Sequence, residues 1–384
     1  MKNFTYHSPT RIHFGQGQIA MIDQELPDSA KLLLLYGGGS IKSNGIYEQV
    51  KNALGKRHVV EFGGIKPNPQ YDNLMEAVNV IKEHDLEGII AVGGGSVIDG
   101  AKFIAAAACY DGEDPWFLLS KREPVEAALP IGCVLTLPAT GSETNGGSVV
   151  TRGHDKLAFS NPMLKPLFAI LDPSVTLSLS DRQISNGIVD AFVHTMEQYL
   201  TYPAQADVQD RFAEGLLLTL IEEGQAVYKD KNNLDTRANI MWAATMALNG
   251  IIGVGVPQDW STHMIAHELT GMFGIDHART LSIILPANLK VRKEEKREKL
   301  LQYARRVWNI EGYPDNKAID MAIAHTEEFF RSLAMPVRMA DVDIDVRHIP
   351  ALLEKLKSHG MTTLGERGNV DLDISHKILE AAAS

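Results

Sequence analysis

Two short apolar runs, each stopped by three glycines and a serine, constrain this chain more than any other feature. Lys31-Leu-Leu-Leu-Leu-Tyr36 ends at Gly37-Gly38-Gly39-Ser40, and Gly88-Ile-Ile-Ala-Val92 ends at Gly93-Gly94-Gly95-Ser96. Short runs that are apolar at consecutive positions suit strands buried on both faces. Around them lie stretches with helical spacing at 47–54, 71–84 and 97–109. In the second of these, Leu74, Ala77, Val78 and Ile81 share one side. Residues 58–62, 131–135 and 168–171 read as further strands. Strand and helix in alternation imply a parallel sheet covered on both faces.

After about residue 180 the texture changes. Amphipathic stretches follow at 184–199, 208–228, 236–252, 262–273, 294–308, 318–334 and 349–359, with few strand signals. Residues 362–369, with Gly365 and Gly368, read as a surface loop before a last helix. The expected organisation is an α/β domain over 1–180, with a Rossmann-like parallel sheet, and an all-α domain over 181–384.

The glycine loops have a chemical reading. Gly93-Gly94-Gly95-Ser96-Val97 opens directly into a helix, and the lack of side chains lets a phosphate approach the backbone. The N–H groups of the helix start, with the positive end of its dipole, then hold the anion. The earlier loop, Gly37-Gly38-Gly39-Ser40, has no carboxylate of the kind that holds unphosphorylated ribose hydroxyls. Its glycines, the Ser40 hydroxyl and the Lys42 cation suit a phosphorylated ribose, although a solvated surface Lys42 reads equally well. A third polar loop, with Thr136, Thr140, Ser142 and Asn145, follows the run at 131–135 and offers hydroxyls to the rest of a dinucleotide.

The helical half carries a different constellation. Asp190 and His194 are four apart, as are His263 and His267, so each pair shares a helix face. His277 follows a Gly274-Ile275-Asp276 break that can fold it back toward them. One carboxylate and several imidazoles without a thiolate make a nitrogen/oxygen site for a divalent transition metal, Fe2+ or Zn2+.

Composition narrows the partners. A formal net charge of -11 argues against nucleic acid and against an anionic membrane surface. The N-terminal residues lack the apolar stretch of a signal peptide, and no run approaches a membrane span. The two cysteines, Cys109 and Cys133, lie in apolar surroundings and suit free thiols in a reducing, cytoplasmic compartment.

Taken together, Gly93-Gly-Gly-Ser-Val-Ile-Asp99, Pro138-Ala-Thr140-Gly-Ser-Glu143, Asp190-Ala-Phe-Val-His194 and the His263/His267/His277 set resemble the iron-containing (type III) alcohol dehydrogenases. The motifs come in that family's order over nearly the whole chain. The Gly37-to-Lys42 turn and Gln258-Asp-Trp260 resemble its branch of NADPH-dependent aldehyde reductases and butanol dehydrogenases. The resemblance implies a dinucleotide-binding first domain, a metal-binding second domain and a homodimer. It implies metal ligands at Asp190, His194, His263 and His277, with His267 outside the ligand set and beside the substrate. It implies NADP(H) contacts at Ser40, Asn68, Gly94, Gly95, Ser96, Asp99, Thr136, Thr140, Ser142, Asn145 and Lys156. The third loop lacks the extra Thr and Gly common in other branches, and the spacing around Lys156 is loose.

The expected chemistry is hydride transfer between NADP(H) and a small to medium aldehyde or primary alcohol. The metal acts as a Lewis acid, and His267 either relays a proton or orients a ligand. Trp260, Met264, Met272 and Phe273 suggest a partly apolar substrate site. A dehydroquinate synthase-like lyase is the alternative, and its anionic substrate needs cations that residues 258–278 lack.

Overall fold

The computed structural model describes residues 1–383, which form two compact units. One comprises His7–Ser180 with Lys231–Thr245; the other comprises Met1–Tyr6, Asp181–Asp230 and the chain from Met246 onward.

The first unit is built on a six-stranded sheet of order β1-β8-β5-β4-β2-β3. Its strands are β1 (Arg11–Phe14), β2 (Lys31–Tyr36), β3 (His58–Phe62), β4 (Gly88–Gly94), β5 (Ile131–Leu137) and β8 (Phe168–Leu171). Every pairing in it is parallel. The doubly apolar runs behave as expected. Leu33, Leu35, Ile89, Ala91 and Cys133 pack on one face with Leu74, Val78 and Ile98. Leu32, Leu34, Ile90, Val92 and Val134 pack on the other with Ile46 and Val50. Alternate residues of one strand thus enter two cores, which is why no polar position interrupts the runs.

β1 and the antiparallel hairpin β6 (Gly147–Arg152) and β7 (Asp155–Ser160) were not expected. β1 is four residues at the sheet edge, and the hairpin turns at Gly153 (φ 62). Interspersed polar residues leave these segments without a continuous apolar run.

In the second unit the helices are Asp181–Tyr199, Asp207–Ala226, Ser261–Phe273, His277–Val291, Arg297–Arg306, Asp315–Ser332, Ile349–Ser358 and Leu372–Ala383, and Leu234–Leu248 ends in it. The His277–Val291 helix is an addition to the expected set. Pro286 lies inside it, and proline removes a backbone donor, so the sequence reads there as a break. The 362–369 segment differs as well. Leu364 and Val370 bridge, and the Glu366 side chain is buried against Arg292 and Lys296. Among the described residues no helix is long and apolar enough to cross a membrane.

Candidate active site

The Asp181–Tyr199 helix is buried along almost all of its last four turns, including Asp190 and His194. Four-residue spacing brings His194 Nε2 within 3.9 Å of Asp190 Oδ1. The other imidazoles arrive on the Ser261–Phe273 and His277–Val291 helices. Gly274 (φ 68) caps the first, a left-handed conformation that glycine adopts without strain, and His277 opens the second. Asp276, just before it, accepts from Arg182 Nε at 2.7 Å and Asn186 Nδ2 at 2.9 Å, both on the Asp190 helix. That clamp sets where His277 stands, and its Nε2 lies 4.0 Å from Asp190 Oδ1.

One ligand atom each from Asp190, His263 and His277 falls within 4.8 Å of the others. His194 stacks on His263 with ring centroids 4.6 Å apart, and His267 lies 4.8 Å from His277. The structure therefore brings all five sequence-read residues to one place. Burial, opposed by Asp190 and aided by His263, lowers the His194 pKa to about 4. A neutral imidazole at ordinary pH keeps its lone pair for a cation, and His194 Nδ1 is buried with no hydrogen-bond partner. One carboxylate and neutral imidazoles at these separations fit a divalent transition metal.

Trp260 holds a left-handed conformation (φ 63), and its ring lies 5.2 Å from His263 and 6.1 Å from His194. Phe273 meets the ring of His348 at 5.1 Å between centroids.

Sequence reasoning missed Glu197. It follows His194 by three and Asp190 by seven, so its helix spacing was visible in the sequence. Its carboxylate takes the backbone N–H of Thr262 (2.7 Å) and of His263 (3.2 Å) and shares a hydrogen bond with His263 Nδ1. Burial, and then the Asp259 charge, push the Glu197 carboxyl well above the usual range, while those two N–H groups pull it down.

The sheet unit holds the second group of expected residues. The glycine loops leave the carboxyl ends of neighbouring strands β2 and β4, the place where open parallel sheets bind ligands. A Cβ on Gly93 would sit 2.4 Å from Val97 Cγ2, and one on Gly95 would sit 2.6 Å from the Thr140 side chain. Only glycine fits either position. Gly94 precedes the Gly95–Ala108 helix, whose first turn contains Ser96 and Val97, and no side chain caps that helix. Around the earlier loop, Gly39 has φ 92, whereas Gly38 has open space where a Cβ would go. Thr136 and Thr140 lie at and after the end of β5.

Asn68 and Lys156 meet: Lys156, on β7, donates to Asn68 Oδ1 at 3.0 Å. Asp99, Ser142 and Asn145 gather around a residue not singled out from sequence, Lys102. Lys102 Nζ donates to Ser142 Oγ (2.8 Å), Asn145 Oδ1 (3.1 Å) and the Gly147 carbonyl (2.7 Å), while Ser142 Oγ donates to Asp99 at 2.6 Å. Burial lowers the Lys102 pKa to about 8 against the pull of Asp99, and burial raises that of Asp99. Removing one member of such a buried group leaves the other charge uncompensated. Lys102→Met is therefore expected to lower stability by about 3 kcal/mol, read from the urea midpoint at constant slope. An unshifted midpoint would remove Lys102 from the scaffold of this loop.

A carboxylate also stands nearer the first loop than the sequence suggested. Glu61 of β3 lies 3.6 Å from Lys42 Nζ and accepts from Tyr47 Oη at 2.6 Å. Burial raises its carboxyl, but Tyr47, Lys51 and Lys42 outweigh burial and hold it below the usual range.

The comparisons with known proteins cover both halves of the chain. Residues 9–173 match the family model for iron-containing alcohol dehydrogenase, and residues 184–369 match the model for the C-terminal part of that family. The chain belongs to the iron-containing alcohol dehydrogenase family. Within it, the chain is 55% identical over 386 residues to the NADPH-dependent aldehyde reductase YqhD of Escherichia coli, with both chains fully covered. It is 38% identical to a probable NADH-dependent butanol dehydrogenase of Bacillus subtilis, again over both full lengths. The crystal structure of E. coli YqhD superposes with a TM-score of 0.98 over 99% of each chain. That of the NADH-dependent butanol dehydrogenase A of Thermotoga maritima, 34% identical, gives 0.95 over 100% of this chain and 99% of the other. The chain thus falls in the aldehyde reductase branch that the Gly37-to-Lys42 turn and Gln258-Asp-Trp260 suggested.

Proposed function

We propose that this chain is a metal-dependent oxidoreductase that moves hydride between NADP(H) and small to medium aldehydes or primary alcohols. The observation that carries the reading is the convergence of buried Asp190, His194 and His263 with half-buried His277 in a member of this family. When bound, Fe2+ or Zn2+ at those residues supplies Lewis-acid polarisation of the carbonyl, and NADPH supplies the hydride.

The chain's own groups do the rest. Asp190 contributes the negative charge that a divalent cation needs, and burial keeps His194 neutral and able to bind. Trp260 walls the imidazoles and excludes water on that side. His267 is the catalytic residue proposed outside the ligand set: its ring is close enough to His277 to hold a proton beside the reacting oxygen. In the sheet unit, the backbone at Gly94, Gly95, Ser96 and Val97 takes the pyrophosphate. Gly37, Gly38, Gly39, Ser40 and Lys42 take the phosphorylated ribose. Asn68, Thr136, Thr140 and Lys156 contact the rest of the dinucleotide, with Asp99, Ser142 and Asn145 held in form by Lys102.

The NADPH dependence named for the E. coli relative and the butanol substrate class named for the Bacillus one support this reading. The lyase alternative is not favoured, and 258–278 contains no Lys or Arg to hold an anionic sugar acid. A homodimer working in the cytoplasm completes the proposal, with Cys109 and Cys133 as the free thiols they are here; gel filtration tests the assembly. For the substrate, steady-state NADPH oxidation is expected to be at least ~10-fold more efficient with butanal than with an anionic keto acid, since desolvating an unpaired carboxylate is unfavourable. A keto acid or phosphorylated sugar that outperforms every neutral aldehyde would overturn the substrate class.

A further inference from the structure

We propose that Glu197 is the positioning residue for His263: its carboxylate accepts the ring Nδ1–H, so that Nε2 alone presents a lone pair to the metal. The inference rests on the ligand set given under Proposed function.

The geometry of the carboxylate carries the argument. The Ser261–Phe273 helix begins at Trp260, which offers no side-chain cap. Its first N–H groups need acceptors, as at every helix start. Glu197 supplies them from another helix: Oε1 takes the Thr262 N–H, and Oε2 takes the His263 N–H together with the ring Nδ1. Both oxygens are thus committed to N–H groups that are fixed in space. The backbone donors at Thr262 and His263 cannot reverse their role, and together with a divalent cation on the far side of the ring they favour the ionised carboxylate. A ring nitrogen arriving at an oxygen of that ionised carboxylate makes a bond only by donating. His263 Nδ1 then carries the proton, and Nε2 is left for the ion.

The tie is also stiffened from behind. The Glu197 carbonyl accepts the Asp259 N–H at 2.9 Å. The Asp259 side chain accepts the Ser261 N–H and is buried against Arg292 (2.7 Å) and Lys296 (2.9 Å). Glu366, from the segment that sequence read as a surface loop, closes the group by pairing with both cations at 2.7 and 2.8 Å. Glu197 itself is buried, and neither Arg292 nor Lys296 bonds its carboxylate directly, which leaves it to the histidine. A carboxylate that fixes the tautomer of a liganding histidine typically contributes 10–100-fold to metal affinity.

The same helix provides a control. Glu268 bonds His359 Nδ1 at 2.8 Å and is equally buried, but His359 is not a proposed ligand. The test measures Co2+ affinity by chelator competition, with the visible d–d spectrum, on the full chain and on Glu197→Gln and Glu268→Gln. Glu197→Gln is expected to bind Co2+ about 10–100-fold more weakly, with an altered spectrum, while Glu268→Gln binds as the parent does. A Glu197→Gln affinity within ~2-fold of the parent, or equal losses in the two variants, overturns the proposal. Because a buried variant can fail to fold, 15N spectra of the histidine-labelled parent chain decide independently. The Nδ1–H tautomer at His263 supports the assignment, and the Nε2–H tautomer overturns it. A parent chain that takes up no Co2+ overturns the ligand set itself. Uptake by a chain with His263 in the Nε2–H form overturns this inference alone.

Discussion

His263→Ala and His277→Ala are each expected to strip the divalent metal and lower kcat/KM more than ~10^3-fold, equal to about 4 kcal/mol of transition-state stabilisation. Neither loss can be made good locally. Removing the His263 ring leaves Glu197 still bonded to backbone N–H groups and in no position to replace an imidazole. Removing the His277 ring leaves its position on the first residue of a helix whose entry is pinned by Asp276, Arg182 and Asn186. His267→Ala is expected to behave differently: it keeps the metal and loses rate, because the family resemblance puts His267 outside the ligand set while its ring lies beside that of His277. Elemental analysis after dialysis, beside steady-state kinetics on the same samples, separates the two classes. Full metal occupancy in either of the first two variants would remove that histidine from the ligand set.

Gly38→Asp is expected to shift coenzyme preference about 30-fold from NADPH toward NADH. The structure supplies the reason this glycine is the one to change. Gly39 has a positive φ, and a Cβ on Gly37 would touch the Ile65 carbonyl and Val97 at 3.4 and 3.5 Å, but Gly38 has open space and an ordinary φ. A new carboxylate there stands beside a proposed 2′-phosphate subsite. Two like charges about 8 Å apart at an effective dielectric of about 20 repel by roughly 2 kcal/mol, which is the 30-fold. Lys42 adds to the effect, because its ammonium already lies near Glu61 and over the rings of Tyr36 and Tyr47, and a second carboxylate would compete for it. The measurement is the ratio of kcat/KM for the two coenzymes with one aldehyde. A parent enzyme more efficient with NADH, or a variant with an unchanged ratio, would sink the assignment of this loop.

The sheet was legible because its signal is local. Five of its six strands are apolar-rich runs, and in β2, β4, β5 and β8 the apolar residues enter a core on one face or the other, a signal that needs no knowledge of their partners. Asp190 and His194 were legible as a pair for a related reason, since helix geometry alone puts residues four apart on one face. The edge strand β1 and the β6–β7 hairpin were not, because polar residues such as Arg11, Thr151, Asp155 and Lys156 interrupt them. The His277–Val291 helix was hidden by Pro286, whose local meaning is a break. There, packing of buried residues such as Leu281, Ile284 and Leu285 outweighs the lost hydrogen bond.

By itself, then, the sequence determined the parallel sheet, the glycine loops at its strand ends, the helical second half and which residue types could bind a metal. Only the tertiary structure decided that His263 and His277 stand within reach of Asp190, that Glu197 holds His263 across a separation of 66 residues, and that Lys102 gathers Ser142 and Asn145. It also decided that Glu366 is buried rather than exposed, because two cations on the chain from Arg292 to Lys296 require a partner away from water. The reason is physical. Periodicity reports the face on which a side chain lies, a property of a few neighbouring residues. The meeting of two faces depends on how whole helices pack, and no short stretch of sequence contains that information.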